Sequence, residues 1–367
     1  MVEQVVVIGA GVYGAAVAAE LTRRGARVTV VDAGAPGAGT SSATFSWTNA
    51  NGGKKPRAYH DLNVGGMEAH RRLARDMSGS DWYHEGGNLE WGGDDAEREE
   101  LIRKVDTVLG YGYEARWLTR ADVLRLEPDM NPAELTADEI AYFPTEGWVE
   151  PVRLIGHLLS NSSAEQVWND AVVGFETADG LVRSVRLASG QRLPADAVVN
   201  CAGPQAAKVA RLAGLDLPMR NRRGVLIYTA PVAVSVSRVI RAPRVDLRPD
   251  GGGRILLHTH AVDDAARVSA TGEIAVDQAA VDKVVEAGCA LYPGIRAANI
   301  ESVRVGERPI PGDGLPVLGP APELSNFYFA VSHSGVTLSL YAGGLLAAEV
   351  LGENHTEELA AFRYDRL

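Results

Sequence analysis

The sequence predicts an α/β fold, α+β when the whole chain is counted, on three observations. Residues 4–33 read as strand, glycine turn, helix and strand; short apolar strands and helical stretches mix through the middle; residues 327–351 give a strand, a polar turn and a long helix. Val5 to Ile8 form a continuous apolar run ended by glycine, as expected of a parallel strand buried on both faces. Gly9, Gly11 and Gly14 then satisfy G-x-G-x-x-G. The first glycine permits the tight turn, the second lets backbone approach a pyrophosphate, and the third lets the helix lie close to the strand. Ala15 to Arg24 reads as a helix whose dipole and free amides face the phosphates, and Gly25 stops it. Arg27 to Val31 is the second strand. Asp32 closes it, placed to accept hydrogen bonds from ribose hydroxyls. A carboxylate there would repel a 2′-phosphate, which speaks against NADP without separating NAD from FAD. The reading is a Rossmann-like dinucleotide-binding unit, with Gly9, Gly11, Val12, Tyr13, Gly14, Asp32 and Ala33 at the ligand.

A chain of 367 residues, 46% of them hydrophobic, suffices for two domains. A net charge of −11 with a pI near 5.3 argues against a nucleic-acid surface, and Lys54-Lys55-Pro56-Arg57 is the longest basic run. Cys201 and Cys289 lie far apart and match no metal spacing, so a reducing cytoplasm is expected and no metal is assigned. No basic segment precedes the first strand, so its apolar run reads as core and not as a signal peptide. No apolar run reaches membrane-spanning length. The expected partners are small molecules, neither nucleic acid nor membrane, and assembly into a homo-oligomer is left open.

Pro36 to Asn51, PGAGTSSATFSWTNAN, is small, polar and irregular, a loop suited to wrapping a ligand. A glycine cradle at the N-terminus followed by Thr40-Ser41-Ser42 resembles the D-amino-acid oxidase, glycine oxidase and sarcosine oxidase family of flavoenzymes. The resemblance implies FAD, with Thr40, Ser41, Ser42 and Asn51 along its pyrophosphate and isoalloxazine. It also implies a Rossmann-like FAD-binding domain (residues 1–78, 148–218 and 301–367) interleaved with a mixed-sheet substrate domain (79–147 and 219–300). Lys54 and Lys55 resemble a basic stretch above the flavin that could hold a substrate carboxylate; a solvated basic turn is the equal alternative.

Further along, Tyr59 to Met77 has helical spacing, and aromatics crowd the stretch from Trp82 to Trp148. Asp94–Leu109, Arg120–Leu126 and Val152–Ser160 read as helices; Glu165–Phe175, Leu181–Leu187 and Ala197–Asn200 read as strands. The resemblance places Val172 or Val173 at the adenine and Ala202 and Gly203 at a third FAD contact. His258 and His260 alternate on an expected strand Ile255–His260, so both would share one face. A two-His metal site there lacks a third ligand in register, and an ordinary polar strand face is the preferred reading. Asp277–Leu291 is an amphipathic helix and Ala297–Arg308 a strand.

Gly306-Glu307-Arg308-Pro309-Ile310-Pro311-Gly312-Asp313-Gly314-Leu315-Pro316 is the second specific resemblance. Glycine oxidase-like members carry an arginine at the Arg308 position that binds the substrate carboxylate, a task suited to the planar guanidinium fork; a structural ion pair is the other reading. Gly306 falls near the cysteine that bonds the flavin covalently in sarcosine oxidases, so the FAD here is expected to be noncovalent. Ser334, Gly335, Val336 and Thr337 would open the last helix, whose positive dipole end can stabilise negative charge on the flavin. Sarcosine oxidases have a carboxylate-binding lysine near Thr337, and its lack adds weight to Arg308.

The expected function is FAD-dependent oxidation of an amino acid or N-substituted glycine by hydride transfer from the α-carbon to flavin N5. Imine hydrolysis and reduction of oxygen to peroxide follow, with no side chain assigned as acid or base. The alternatives are a flavin dehydrogenase using another electron acceptor, an NAD-dependent dehydrogenase, which would leave the 40–51 loop and the 306–337 region without a purpose, and a non-catalytic binding module.

Overall fold

The computed structural model describes residues 2–51, 55–77, 80–268, 274–297 and 300–367. One sheet has six strands in the order Val317–Ala321, Leu324–Val331, Ala197–Asn200, Gln4–Ile8, Arg27–Val31, Glu165–Val167. The last five run parallel and the first is an antiparallel edge. Parallel neighbours need crossovers, and helices and small sheets fill both faces, which is why the strands read as unbroken apolar runs. Val5 and Val7 pack under helices Val12–Arg23, Pro151–Ser160 and Gly335–Val350. Val6 and Ile8 point the other way, against helix Ala206–Leu212 and a three-stranded sheet of Val172–Ala178, Leu181–Leu187 and Arg192–Pro194. Each such valine is fully buried and stabilises the fold by about 1.5–3 kcal/mol.

The second large sheet has eight strands in the order Ile300–Arg308, Arg222–Thr229, Ile255–His258, Val245–Pro249, Val239–Ala242, Asn88–Glu90, Glu139–Phe143, Arg116–Thr119. Val225, Ile227, Ile240, Leu247, Ile255 and Leu257 pack on helix Gln278–Leu291 through Val281, Val284 and Ala287. Strand residues alternate between faces, so Gly224, Leu226, Tyr228, Asp246, Arg248, Leu256 and His258 look away from that helix. What they meet is the loop after the second strand: Ala43 and Phe45 pack on Leu226, Tyr228 and Leu256, and Arg248 Nε donates to the Phe45 carbonyl at 2.6 Å.

The chain passes between the two sheets. Residues 4–31, 165–200 and 317–331 supply the first, and 88–143 and 222–308 the second. Ile300–Arg308 pairs along its length with Arg222–Thr229, so this segment belongs by hydrogen bonding to the eight-stranded sheet, although residues from 301 onward are expected with the nucleotide-binding part.

Most helices lie within two residues of their expected bounds, and three departures have local causes. The first helix starts at Val12 because extended Gly11 serves as its N-cap. The expected strand Glu165–Phe175 is two strands, broken where Asn169 takes φ +57°. The strand from Ile255 ends at His258, because Thr259 Oγ1 accepts from Val262 N at 3.1 Å and starts a short helix, His260–Asp263. His260 therefore leaves the strand face. Its side chain is 78% exposed while that of His258 is 5% exposed, so the two histidines do not share a face as expected.

The glycine turn is set by backbone packing. A Cβ on Gly14 would lie 1.7 Å from the Gly9 carbonyl oxygen, and one on Gly9, whose φ is +105°, would lie 2.5 Å from that of Cys201. We expect Gly14→Ala to lower the unfolding free energy by about 3 kcal/mol, the upper end of overpacking costs. Denaturant unfolding reads this directly; an unchanged midpoint would mean the helix can stand off the strand at no cost.

Candidate cofactor and substrate sites

A cleft of about 410 Å³ opens where the first and last helices begin. Helix Val12–Arg23 starts at Gly11 and helix Gly335–Val350 at Ser334, each without a side-chain cap and without an acidic residue in its first turn. Gly11, Val12, Tyr13, Gly335 and Val336 all line the cleft. The first N–H groups of a helix lack intrahelical partners and sit at its positive end, so two such termini on one cleft suit an anionic ligand. A Cβ on Gly11 would meet only Ser41 Oγ, at 3.3 Å, so protein packing tolerates a methyl there; the bare backbone leaves the space at the helix start open to a ligand. A dinucleotide pyrophosphate fits this cradle.

Of the residues read from the sequence, Gly9, Asp32, Thr40, Ser41, Ser42, Ala202 and Gly203 also line this cleft. Asp32 accepts from Ala10 N at 2.7 Å and from Gly34 N at 2.8 Å, so its carboxylate braces the turn as well as facing the cleft. Ala33 is exposed beside it. Gly14 lies behind, against Gly9. Ser334 Oγ pairs with Tyr59 Oη at 2.8 Å, and Thr337 is buried, its Oγ1 donating to the Trp47 carbonyl at 3.4 Å. Val172 and Val173 open the separate three-stranded sheet and are not on the cleft wall. Lys54 lies outside the described residues. His333, expected at the start of the last helix, and Ser332, which the sequence did not single out, also line the cleft.

A larger cleft, about 1510 Å³, lies on the other side of the 40–51 loop, between helices Asp95–Gly110 and Gln278–Leu291. Its wall includes Ala50, Asn51, Lys55, Lys104, Arg241, Asp246 and His260. The structure thus separates Lys55 and Asn51 from the glycine cradle: Thr40 to Thr44 face one cleft, and Ala50 and Asn51 the other.

Arg308 is not a free cation. Its Nη1 donates to Asp263 Oδ2 at 2.7 Å, and its Nη2 lies 3.1 Å from His258 Nε2. Asp263 also accepts from the backbone N–H of Val225 at 2.8 Å and faces His258 Nε2 at 3.2 Å. On the far side of the imidazole, Nδ1 stands 3.5 Å from Asp246 Oδ2, and Arg241 Nε donates to Asp246 Oδ1 at 3.2 Å. Arg241, Asp246, His258, Asp263 and Arg308 therefore form one alternating chain of charge across the inner face of the eight-stranded sheet. Burial works against each charge, yet the partners win. The two carboxylates raise the His258 pKa above its ordinary value; Arg241 and His258 hold Asp246 below the usual carboxylate range; His258, His260 and Arg308 do the same for Asp263. Neither aspartate was singled out in the sequence, because Asp246 lies on a strand and Asp263 on a short helix, and the two meet His258 only through the fold.

His258, His260 and Asp263 bring possible metal-ligand atoms within 4.8 Å of one another, so Asp263 is the third group that the sequence did not offer. The Arg308 guanidinium already contacts both His258 Nε2 and Asp263 Oδ2. A divalent cation there would face that positive charge, and the donor set does not fit one.

Glu146 is fully buried beneath the loop. Trp47 Nε1 and Asn51 Nδ2 donate to its Oε2 at 2.9 Å, and Asn51 N contacts Oε1 at 3.2 Å. Tyr113 Oη donates to Oε1 at 2.8 Å and lies 3.5 Å from Met67 Sδ. Burial pushes the Glu146 pKa up to about 8. The thiol of Cys201, by contrast, is raised by burial alone and sits behind the turn as a small apolar group.

The family model described as FAD dependent oxidoreductase matches residues 4–349. Glycine oxidase of Geobacillus kaustophilus (strain HTA426) is 28% identical over 373 residues, covering 99% of this chain and 96% of that protein. The crystal structure of glycine oxidase from Geobacillus kaustophilus superposes with a TM-score of 0.85 at 26% identity, covering 100% of this chain and 99% of the other. L-proline dehydrogenase from P. horikoshii has a TM-score of 0.82 at 18% identity over 98–99% of both chains, a likeness of fold alone.

Glu146 gives a testable pH dependence. Its folded pKa, about 8, lies above the unfolded carboxyl value, so its contribution to stability is whole below about pH 4 and fades as pH rises through 8. Glu146→Gln cannot titrate. The unfolding free energy of the wild type minus that of the variant should fall between pH 5 and pH 9 in urea titrations; a difference that stays constant or rises would contradict a protonated Glu146.

Proposed function

Taking as premise that this chain belongs to the family of FAD dependent oxidoreductases, we propose that it is an oxidase of an amino acid or an N-substituted glycine. The supporting observation is the junction of the two halves at one loop. Residues 40–44 line the cradle with its two helix termini, and a Cβ on Gly306, two residues before Arg308, would stand 2.1 Å from the Ala43 carbonyl oxygen. The cofactor cleft and the arginine-bearing sheet face are thereby brought into backbone contact. Residues 1–78, 148–218 and 309–367 form the FAD-binding part in this reading, and the eight-stranded sheet the wall above the substrate.

Bound FAD supplies the acceptor for the hydride equivalent that leaves the substrate α-carbon. The chain's own residues orient the substrate. Arg308, with a side chain 23% exposed, offers guanidinium N–H groups to the substrate carboxylate, and fixing that group aims the α-carbon at the cofactor. The amine reacts as the neutral form, the imine hydrolyses to an oxo acid plus amine or ammonia, and oxygen is reduced to peroxide. The Geobacillus relative, named a glycine oxidase, supports the substrate class.

The FAD is held noncovalently in this account, since Gly306 carries no nucleophile and packing against Ala43 leaves no room for one. Acid precipitation should leave the yellow colour in the supernatant; colour in the pellet would mean a covalent link. Anaerobic mixing with glycine, sarcosine, D- and L-amino acids and N-alkylglycines should bleach the flavin with one class, and admitted air should restore it with release of peroxide. Bleaching that air does not reverse points to a dehydrogenase. No bleaching by any amine bearing a carboxylate would overturn the proposal.

A further inference from the structure

Resting on the reading that the substrate carries a carboxylate, the inner-face charge chain has a consequence of its own. His258 cannot satisfy Asp263 and Arg308 with one protonation state. With a proton on Nδ1 alone, the imidazole donates towards Asp246 and its single Nε2 lone pair accepts from Arg308 Nη2 at 3.1 Å, while Asp263 Oδ1, 3.2 Å from the same nitrogen, receives no hydrogen bond from it. With both nitrogens protonated, Nε2 donates to Asp263, and Arg308 Nη2 faces a donor in place of an acceptor. Asp263 stays put in either state, since the Val225 N–H and Arg308 Nη1 hold it. Only Nη2 changes partners.

We propose that His258 is a positioning residue for Arg308: protonation of its imidazole releases Arg308 Nη2 to a substrate carboxylate, so that carboxylate binding takes up a proton at His258. Charge counting agrees with the geometry. Arg241, Asp246, neutral His258, Asp263 and Arg308 sum to zero, and the imidazolium leaves one net positive charge for an incoming anion. The groups that face His258 are Asp246 from strand Val245–Pro249, Asp263 and His260 from the short helix, and Arg308 from strand Ile300–Arg308. Arg241 acts through Asp246, and the Phe45 ring stands 5.9 Å from the imidazole centroid. The buried carboxylate on each side favours the proton, which keeps the charged form accessible at and above the ordinary histidine range.

The test is calorimetric titration of the FAD-loaded protein with acetate and benzoate, both fully ionised between pH 6 and pH 9, in buffers of different ionisation enthalpy. We expect uptake of close to one proton per carboxylate bound once the pH exceeds the His258 pKa, and a Kd that rises about tenfold per pH unit there. His258→Gln should bring proton uptake to zero and flatten the Kd. Asp246→Asn, which removes the Nδ1 partner but keeps the imidazole, should move the onset of uptake to lower pH, and it serves if the glutamine variant fails to fold. Uptake that persists in His258→Gln, or carboxylate binding without uptake in the wild type, overturns the proposal while leaving amino-acid oxidation standing. Failure of any carboxylate to bind, together with flavin bleaching by amines that lack one, would overturn both.

Discussion

The structure depends on one backbone junction. At Gly9, Gly14 and Cys201, three segments approach until a single methyl group would collide with a carbonyl oxygen. That contact seats the first helix on the first strand, and the strand in turn pairs with Ala197–Asn200 and Arg27–Val31. The helix start is thereby aimed into the cleft, and the last helix, packed along the first, aims its own start at the same place. Two helix starts whose first N–H groups lack intrahelical partners face one cleft, Val12 N meeting only Ser41 Oγ at 3.3 Å, and an anion suits that positive end, which is the physical reason to read the cleft as a phosphate cradle.

The eight-stranded sheet poses a different problem. One face is an ordinary apolar core; on the other, beside the buried Arg248, Arg241, Asp246, His258 and Arg308 stand in alternating order with Asp263 brought in by the short helix. Burying an ion pair gains little stability by comparison with apolar packing, because desolvation offsets attraction. Such a chain is better understood as fixing the geometry of its exposed end, the partly open guanidinium of Arg308, than as holding the sheet together. The Glu146 cluster serves the other end of the same loop: Trp47 and Asn51 are tied to one buried carboxyl that burial keeps protonated at neutral pH.

The fold was legible wherever the signal was local. The glycine spacing, the apolar strand runs and the helical stretches all lie within short windows, and the first unit of the chain follows from them. Arg308 was legible from its motif, but its partners were not. Asp263 comes from a helix that begins because Thr259 caps it, and Asp246 reaches His258 through the pairing of strands Val245–Pro249 and Ile255–His258. No pattern in sequence marks either event. Glu146 is hidden for the same reason, being joined to Asn51 across 95 positions. From sequence Lys55 stands evenly between a carboxylate partner and a solvated basic turn; the structure puts it on the wall of the larger cleft with Arg241 and Asp246, which only the path of the backbone could show.

In the proposed reaction a carboxylate substrate binds at Arg308 on the inner sheet face, across the 40–45 loop from the cradle. A crystal structure of the FAD-loaded protein with benzoate at pH 6 tests it most directly. The account predicts a carboxylate oxygen within hydrogen-bonding distance of Arg308 Nη2, with Asp263 unmoved against Val225. Benzoate bound at Lys55 in the larger cleft, or Arg308 still contacting His258 Nε2 with the ligand elsewhere, would contradict it.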